Sequence, residues 1–106
     1  MSNYRNPKLL KLAKDQPCML CGAQDGTVVA AHSNWSEHGK GMSIKAHDCF
    51  IAFLCHMCHA EIDQGSRLTK EERKDQWRLA HDRTMLSLFQ NDHLMVASAL
   101  SGDVNA

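Results

Sequence analysis

The sequence has no apolar run approaching the ~20 residues that a helix needs to cross a bilayer. Its N terminus is polar and basic and lacks the apolar core of a signal peptide, so a cytoplasmic protein is expected. A net charge is also missing, because 12 basic residues balance 12 acidic ones, and no global field attracts nucleic acid. Internal repeats and long linkers are absent as well. We therefore expect one domain spanning residues 1–106.

The cysteines are the most informative residues that the chain does contain. Four of the five form two Cys-x-x-Cys pairs, Cys18 with Cys21 and Cys55 with Cys58. Two such pairs can bind one tetrahedral zinc ion, and in a cytosolic chain this spacing favours metal over disulfides. We expect a structural zinc site of four thiolates. The alternatives are a redox-active pair, or a site in which His59 replaces one thiolate. Cys49 lies in an apolar run and is expected to be a buried thiol.

A second metal site is indicated just past the second cysteine pair. His59 and Asp63 are four residues apart, so in a helix they share one face with Cβ atoms about 5–6 Å apart. One imidazole and one carboxylate leave most positions of a divalent ion to water and substrate. Mg²⁺ is typically held in this way. Imidazole also suits Mn²⁺, Ni²⁺ or Zn²⁺.

The order of the predicted elements is helix, strand, loop, strand, helix, helix. Residues 1–5 are expected to be loose, and Asn6 and Pro7 to start a short helix over residues 8–14. A strand over residues 27–31 ends in His32, and a long polar loop over residues 33–47 follows it.

An apolar strand over residues 49–54 leads into a helix over residues 56–64, which Gly65 is expected to end. A capping box at Thr69 and Glu72 opens the last helix, to about Asn91. One stripe of that helix is expected to face the core: Trp77, Ala80, His81, Thr84, Met85 and Leu88. The polar tail, residues 98–106, is expected to be frayed.

This order of elements resembles the ββα-metal fold of HNH endonucleases in its zinc-stapled version, over roughly residues 17–65. Three segments resemble, more narrowly, small predicted nucleases of lambdoid phages and prophages: Ala31-His32, Lys45-x-x-Asp48 and Cys55-x-x-Cys58-His59-x-Glu61-Ile62-Asp63. The resemblance implies an α+β fold, hydrolysis of DNA, and a place in a bacterial host. Phage recombination or packaging proteins are the partners that it suggests.

The resemblance also implies roles for individual residues. His32 corresponds to the general base that activates water, and His59 with Asp63 to the ligands of a catalytic divalent ion. Asp48 stands near the middle asparagine of the HNH pattern. The acidic ligand that usually precedes the first histidine is replaced by Ala31, so the carboxylate has to come from Asp63 or Asp48.

Basic residues supply the local charge that the chain lacks as a whole. Lys40 and Lys45 in the long loop are candidate phosphate contacts. A stripe in the first helix offers a second set or is simply a solvated helix face: Arg5, Lys8, Lys11 and Lys14. The sequence leaves three functions open: a zinc-containing DNA endonuclease, a non-catalytic zinc-ribbon adaptor that binds nucleic acid or protein, and a thiol–disulfide protein without zinc.

Overall fold

A computed structural model of the chain describes residues 2–97, which form an α+β fold. Three α-helices and two β-strands follow one another: α1 (Pro7–Lys11), β1 (Val29–His32), β2 (Ile51–Leu54), α2 (His56–Gln64) and α3 (Lys70–Gln90). Two short 3-10 turns, Leu12–Asp15 and Ser36–His38, lie between them. The predicted fold class and element order are confirmed at this level. The tail at residues 98–106, expected to be frayed, lies outside the described residues.

The first helix begins where the sequence predicts and ends earlier. The Asn6 side chain accepts a hydrogen bond from the Leu9 N–H, and Pro7 occupies the first turn. After Lys11 the chain tightens into the 3-10 turn that ends at Asp15. Leu9 and Ala13 are buried on the inner face.

The two strands form an antiparallel pair that places His32 at the end of the sheet. His32 lies opposite Ile51, and Val29 lies opposite Leu54. Both strands are shorter than predicted, since β1 begins at Val29 and β2 at Ile51. Thr27, just before β1, accepts the His56 N–H with its hydroxyl at 3.0 Å. All four residues of β2 are fully buried, which explains their unbroken apolar sequence.

Helix α3 covers the outer edge of β2. Thr84 Oγ1 accepts a hydrogen bond from the Phe53 N–H at 2.9 Å. His81 Nδ1 lies 2.7 Å from the Ile51 carbonyl oxygen, so the edge has few free polar groups. The predicted capping box is present, with both of its hydrogen bonds. Most of the predicted stripe is fully buried: Trp77, Ala80, Thr84 and Leu88.

Helix α2 has the predicted bounds but a different ending. Gly65 was expected in the left-handed conformation typical of a helix stop. It is extended instead, with φ −66° and ψ 150°. Glycine is still required there, because an added Cβ would collide with the Glu61 carbonyl oxygen.

The N-terminal arm (residues 3–6) is tied to the long loop that joins the strands. The Asn3 side chain donates to the carbonyls of Gly39 and Lys45, at 2.7 Å and 2.9 Å. The Tyr4 carbonyl accepts the Asp48 N–H at 3.0 Å. The expectation that residues 1–5 are loose is therefore wrong for residues 3–5, whose contacts lie far along the chain.

Among the residues that the structure describes, no helix is both long enough and apolar enough to cross a membrane.

Candidate active site and metal centre

Both Cys-x-x-Cys pairs meet in one cluster. The sulfur atoms of Cys18, Cys21, Cys55 and Cys58 all lie within 4.8 Å of one another. All four are free thiols, and Cys21 Sγ lies 3.6 Å from Cys55 Sγ. Within residues 2–97 this is the only group of three or more histidine, cysteine or acidic side chains with such spacing. His59 does not belong to this cluster. Cys49 lies outside it as well, and it is half-buried where a buried thiol was expected.

The dimensions of the cluster fit a tetrahedral metal ion such as zinc. A tetrahedron with Zn–S bonds of about 2.3 Å has sulfur–sulfur edges of about 3.8 Å, close to the observed separations. The backbone prepares the site. Burial opposes ionisation of Cys18, but N–H groups of Cys21, Cys55 and Leu20 lower its pKa to about 6.

Two of the other thiols, Cys58 and Cys21, resist ionisation in the absence of a cation. Burial, together with the neighbouring cysteines, raises the pKa of Cys58. The pKa of Cys21 is also raised: the Ala23 backbone lowers it, but the thiols of Cys55 and Cys18 outweigh that effect. Four crowded sulfurs of this kind are stabilised as thiolates by a bound divalent ion.

A separate cavity of about 250 Å³ brings together several of the other residues singled out by the sequence. Five of them line it: His32, Lys40, Lys45, His59 and Asp63. They come from the end of β1, the long loop and one face of α2, so the cavity is assembled by the ββα arrangement itself. A larger, mostly apolar cavity of about 450 Å³ beside Cys58 contains none of them.

The His32 ring is held by a buried carboxylate. His32 Nε2 lies 2.8 Å from Asp48 Oδ1, and the exposed fractions of the two side chains are 15% and 2%. Burial raises the pKa of Asp48, but hydrogen bonds from His32, the Asn6 N–H and Arg5 outweigh it and lower the pKa below the ordinary value of an aspartate. Asp48 is thus ionised near neutral pH and can only accept. His32 Nε2 therefore carries a proton, and in the neutral ring the lone pair is on Nδ1.

Both carboxylate oxygens of Asp48 are occupied by protein donors. Its Oδ1 accepts from His32 and from Arg5 Nη1, the latter at 3.0 Å, while Oδ2 accepts the Asn6 N–H at 2.6 Å. It does not line the cavity. Of the two acids left open by the sequence, the structure places only Asp63 in the cavity.

His59 and Asp63 share the cavity face of α2, as their spacing predicts. His59 Nε2 lies 3.9 Å from Asp63 Oδ2, and both side chains are about 40% exposed. Asp63 Oδ1 accepts a hydrogen bond from Asn34 Nδ2 at 2.7 Å, so Oδ2 is the oxygen nearer His59. Two adjacent ligands of an octahedral ion at about 2.1 Å lie about 3 Å apart. These exposed side chains fit such an ion after closing by roughly 1 Å.

The basic residues divide into two sets. Lys40 and Lys45 border the cavity, and Lys40 Nζ also donates to the Gly41 carbonyl at 2.8 Å. The three lysines of the first helical segment, Lys8, Lys11 and Lys14, are exposed but do not line it. Lys11 and Lys14 border a different groove, with Val28 and Val29.

Two residues of the site were missed by sequence reasoning. Asn34 lies in the polar loop and has no motif that sets it apart from its neighbours. Arg5 was grouped with the basic stripe by its spacing, but its guanidinium contacts Asp48. Their partners are 29 and 43 residues away, so no local pattern could have identified them.

Residues 1–91 match the family model described as "Protein of unknown function (DUF968)". The matched segment contains both cysteine pairs and all of the cavity residues. Comparisons with curated proteins and with solved structures found no match.

Proposed function

The chain belongs to the DUF968 family, and we propose that it is a divalent-metal-dependent endonuclease that hydrolyses DNA phosphodiester bonds. In this proposal the four cysteines hold a structural zinc ion, and the 250 Å³ cavity is the active site. The architecture is that of a zinc-stapled HNH enzyme. The protein acts in the cytoplasm of a bacterial host.

One observation carries the proposal. His32, His59 and Asp63 were selected from the sequence by their likeness to one catalytic pattern, and they line a single cavity together with Lys40 and Lys45. An adaptor that only binds a partner does not need a braced imidazole in the same cavity as an imidazole–carboxylate pair. This convergence favours catalysis over the zinc-ribbon alternative.

His32 acts as the general base in this mechanism. Asp48 accepts a hydrogen bond from Nε2–H, which leaves the Nδ1 lone pair of the neutral ring to take a proton from a water molecule. As the oxygen of this water attacks phosphorus, the P–O bond to the departing sugar oxygen breaks, and that oxygen takes a proton from solvent. Because Asp48 is ionised and buried, it also stabilises the imidazolium that forms. A base positioned in this way contributes about 10²–10⁴-fold to a rate.

His59 and Asp63 would hold the divalent ion, and Asn34 orients Asp63 by occupying its other oxygen. When bound, such an ion would stabilise the negative charge that develops on the phosphate. Lys40 and Lys45 offset the charge of the flanking phosphates on the same rim. The substrate backbone is thereby held with one phosphate facing His32.

Nicking of supercoiled plasmid by the zinc-loaded protein tests this proposal. The wild type should nick only with an added divalent ion, and His32→Ala should lose about 10²–10⁴-fold in rate while keeping its fold and zinc. His93→Ala is the matched control, since His93 is exposed and does not line the cavity. Two results would contradict the proposal: no cleavage of any DNA form with any divalent ion, or wild-type cleavage by His32→Ala. In either case the adaptor alternative becomes the better one.

A further inference from the structure

The N-terminal arm makes a set of hydrogen bonds to the long loop that the proposed mechanism has not used. Residues 3–6 form no helix or strand, yet they are held against the long loop by hydrogen bonds over 36 to 43 residues of sequence separation. These bonds concentrate on one side of Asp48. Bonds run in both directions, since the Asp48 N–H donates to the Tyr4 carbonyl and the Asn6 N–H donates to the Asp48 side chain at Oδ2.

Arg5 is the centre of this contact. Its Nη1 donates to Asp48 Oδ1 at 3.0 Å and to the Ala46 carbonyl at 2.6 Å. Its Nη2 donates to the Lys45 carbonyl at 2.8 Å. One planar guanidinium therefore fixes the backbone on the N-terminal side of Asp48 and the carboxylate itself.

We propose that Arg5 is a positioning residue, which aligns the His32 ring for catalysis by holding Asp48. This inference rests on the proposed function of His32 as the base. Asp48 Oδ1 accepts from both Arg5 and His32, so the direction of one bond constrains the other. The arm thus acts on the reaction through Asp48 without touching the substrate.

The shape of the guanidinium matters as much as its charge. Arginine presents several donors in one plane, and here that plane spans two carbonyls and a carboxylate. A lysine side chain ends in one nitrogen, which cannot donate to two carbonyls and the carboxylate in the positions that they occupy here. Arg5→Lys should therefore behave more like Arg5→Ala than like the wild type.

The alternative is that Arg5 is one of the phosphate-contacting residues of the basic stripe. The two roles affect different kinetic quantities. A positioning residue changes kcat and leaves KM and the salt dependence of DNA binding unchanged. A phosphate contact raises KM and contributes about one unit to the salt slope.

The experiment compares the wild type with Arg5→Ala, Arg5→Lys and, as matched control, Arg67→Ala. Arg67 also pairs with a carboxylate, Glu61 at 3.2 Å, but on the other side of α2, beside the larger cavity. We expect kcat to fall about 10- to 100-fold in both Arg5 variants, because misplacing a catalytic group by ~1 Å costs up to about 10²-fold. KM, the salt slope and zinc content should stay as in the wild type.

A spectroscopic measurement separates this inference from the proposed function. In protein with ¹⁵N-labelled histidine, the Nε2 proton of His32 should give a sharp, slowly exchanging signal, because it is bonded to a buried carboxylate. The signal should broaden or vanish in both Arg5 variants and persist in Arg67→Ala. Cleavage is not needed for this test, so an inactive wild type would overturn the proposed nuclease without deciding whether Arg5 holds Asp48.

Three results would overturn the role of Arg5. They are wild-type kcat in folded Arg5→Ala, an unchanged His32 signal in that variant, or a loss confined to KM and the salt slope. If Arg5→Ala does not fold, the same three measurements on Arg5→Lys decide, since that variant keeps the charge and most of the side-chain volume.

Discussion

His32 Nε2 and Asp48 Oδ1 lie 2.8 Å apart, and this contact joins the end of β1 to a loop residue 16 positions later. The sequence left two roles open for Asp48, that of the middle asparagine of the HNH pattern and that of a metal ligand. Asp48 accepts three hydrogen bonds from protein donors and braces the His32 ring, while Asp63 is the carboxylate that lines the cavity. The sequence supported Asp48 and Asp63 equally as the missing carboxylate ligand, and their burial and hydrogen bonds distinguish them.

Replacing Asp48 by asparagine should destabilise the protein by about 1–3 kcal/mol at neutral pH, because the amide puts donors against Arg5 or the Asn6 N–H. The folded-state pKa of Asp48 is lowered, so its contribution is complete above the unfolded pKa and is lost as pH falls through the lower folded value. The difference in unfolding free energy between wild type and variant should therefore shrink below about pH 4. Urea unfolding at several pH values measures it.

Asp75→Asn is a suitable control for this series, because Asp75 is exposed on α3. Its unfolding free energy should follow the wild type at every pH. An Asp48→Asn difference that stays constant down to pH 2–3 would show that ionisation of Asp48 does not stabilise the fold.

The sequence predicted those parts of the structure that depend on residues close together in the chain. Cys-x-x-Cys spacing, the Asn6-Pro7 helix start and the Thr69–Glu72 capping box each depend on residues within four positions of one another. The pairing of His59 with Asp63 followed in the same way from the helical repeat. Each of these features forms once a few consecutive residues adopt the local backbone conformation that their own sequence favours, so distant contacts are not needed to predict it.

The parts that it did not predict depend on long-range packing. Arg5 has the same spacing as the exposed lysines that follow it, and only the path of the arm turns it toward Asp48. Asn34 is one polar residue in a polar loop, until the loop brings it to Asp63. Gly65 was correctly chosen as a helix end but for the wrong reason, because its need for glycine comes from the Glu61 carbonyl.

Loss of one cluster thiol should release the metal and unfold much of residues 17–65. Cys21→Ser removes the exposed thiol of the four-cysteine cluster. Cys49→Ser removes a thiol outside the cluster and serves as its control. We expect one zinc per chain in the wild type and in Cys49→Ser, and little in Cys21→Ser, with a matching loss of helical circular dichroism. If the natively purified protein held no zinc and its four cluster cysteines were paired in disulfide bonds, this expectation would be contradicted.

The two lysine sets should differ in their effect on DNA binding. Lys40→Ala and Lys45→Ala remove charge at the cavity rim, and each should reduce the salt slope of binding by about one unit. Lys70→Ala, on the exposed start of α3, is the matched single-charge control. Affinity measured from 50 to 200 mM salt, roughly the range over which phosphate contacts are screened, gives the slopes.

Charge reversal of Lys8, Lys11 and Lys14 tests the second set. If DNA also lies along the first helical segment, the triple variant should lose affinity and up to about three units of slope. An unchanged slope would assign these exposed lysines to a solvated face and confine the DNA contact to the cavity rim.

Metal dependence should distinguish the residues that hold the ion from the residue that supports the base. His59→Ala and Asp63→Asn should both lose activity and require more Mg²⁺ or Mn²⁺ for half-maximal cleavage, so that excess ion partly restores the rate. Asn34→Ala should shift the metal requirement in the same direction by a smaller amount, about 10-fold, because it frees Asp63 Oδ1 without removing the ligand. Asp48→Asn should lower the rate at saturating metal and leave the half-maximal concentration unchanged, since Asp48 does not line the cavity. A metal shift in Asp48→Asn with none in Asp63→Asn would reverse the assignment of the two acids.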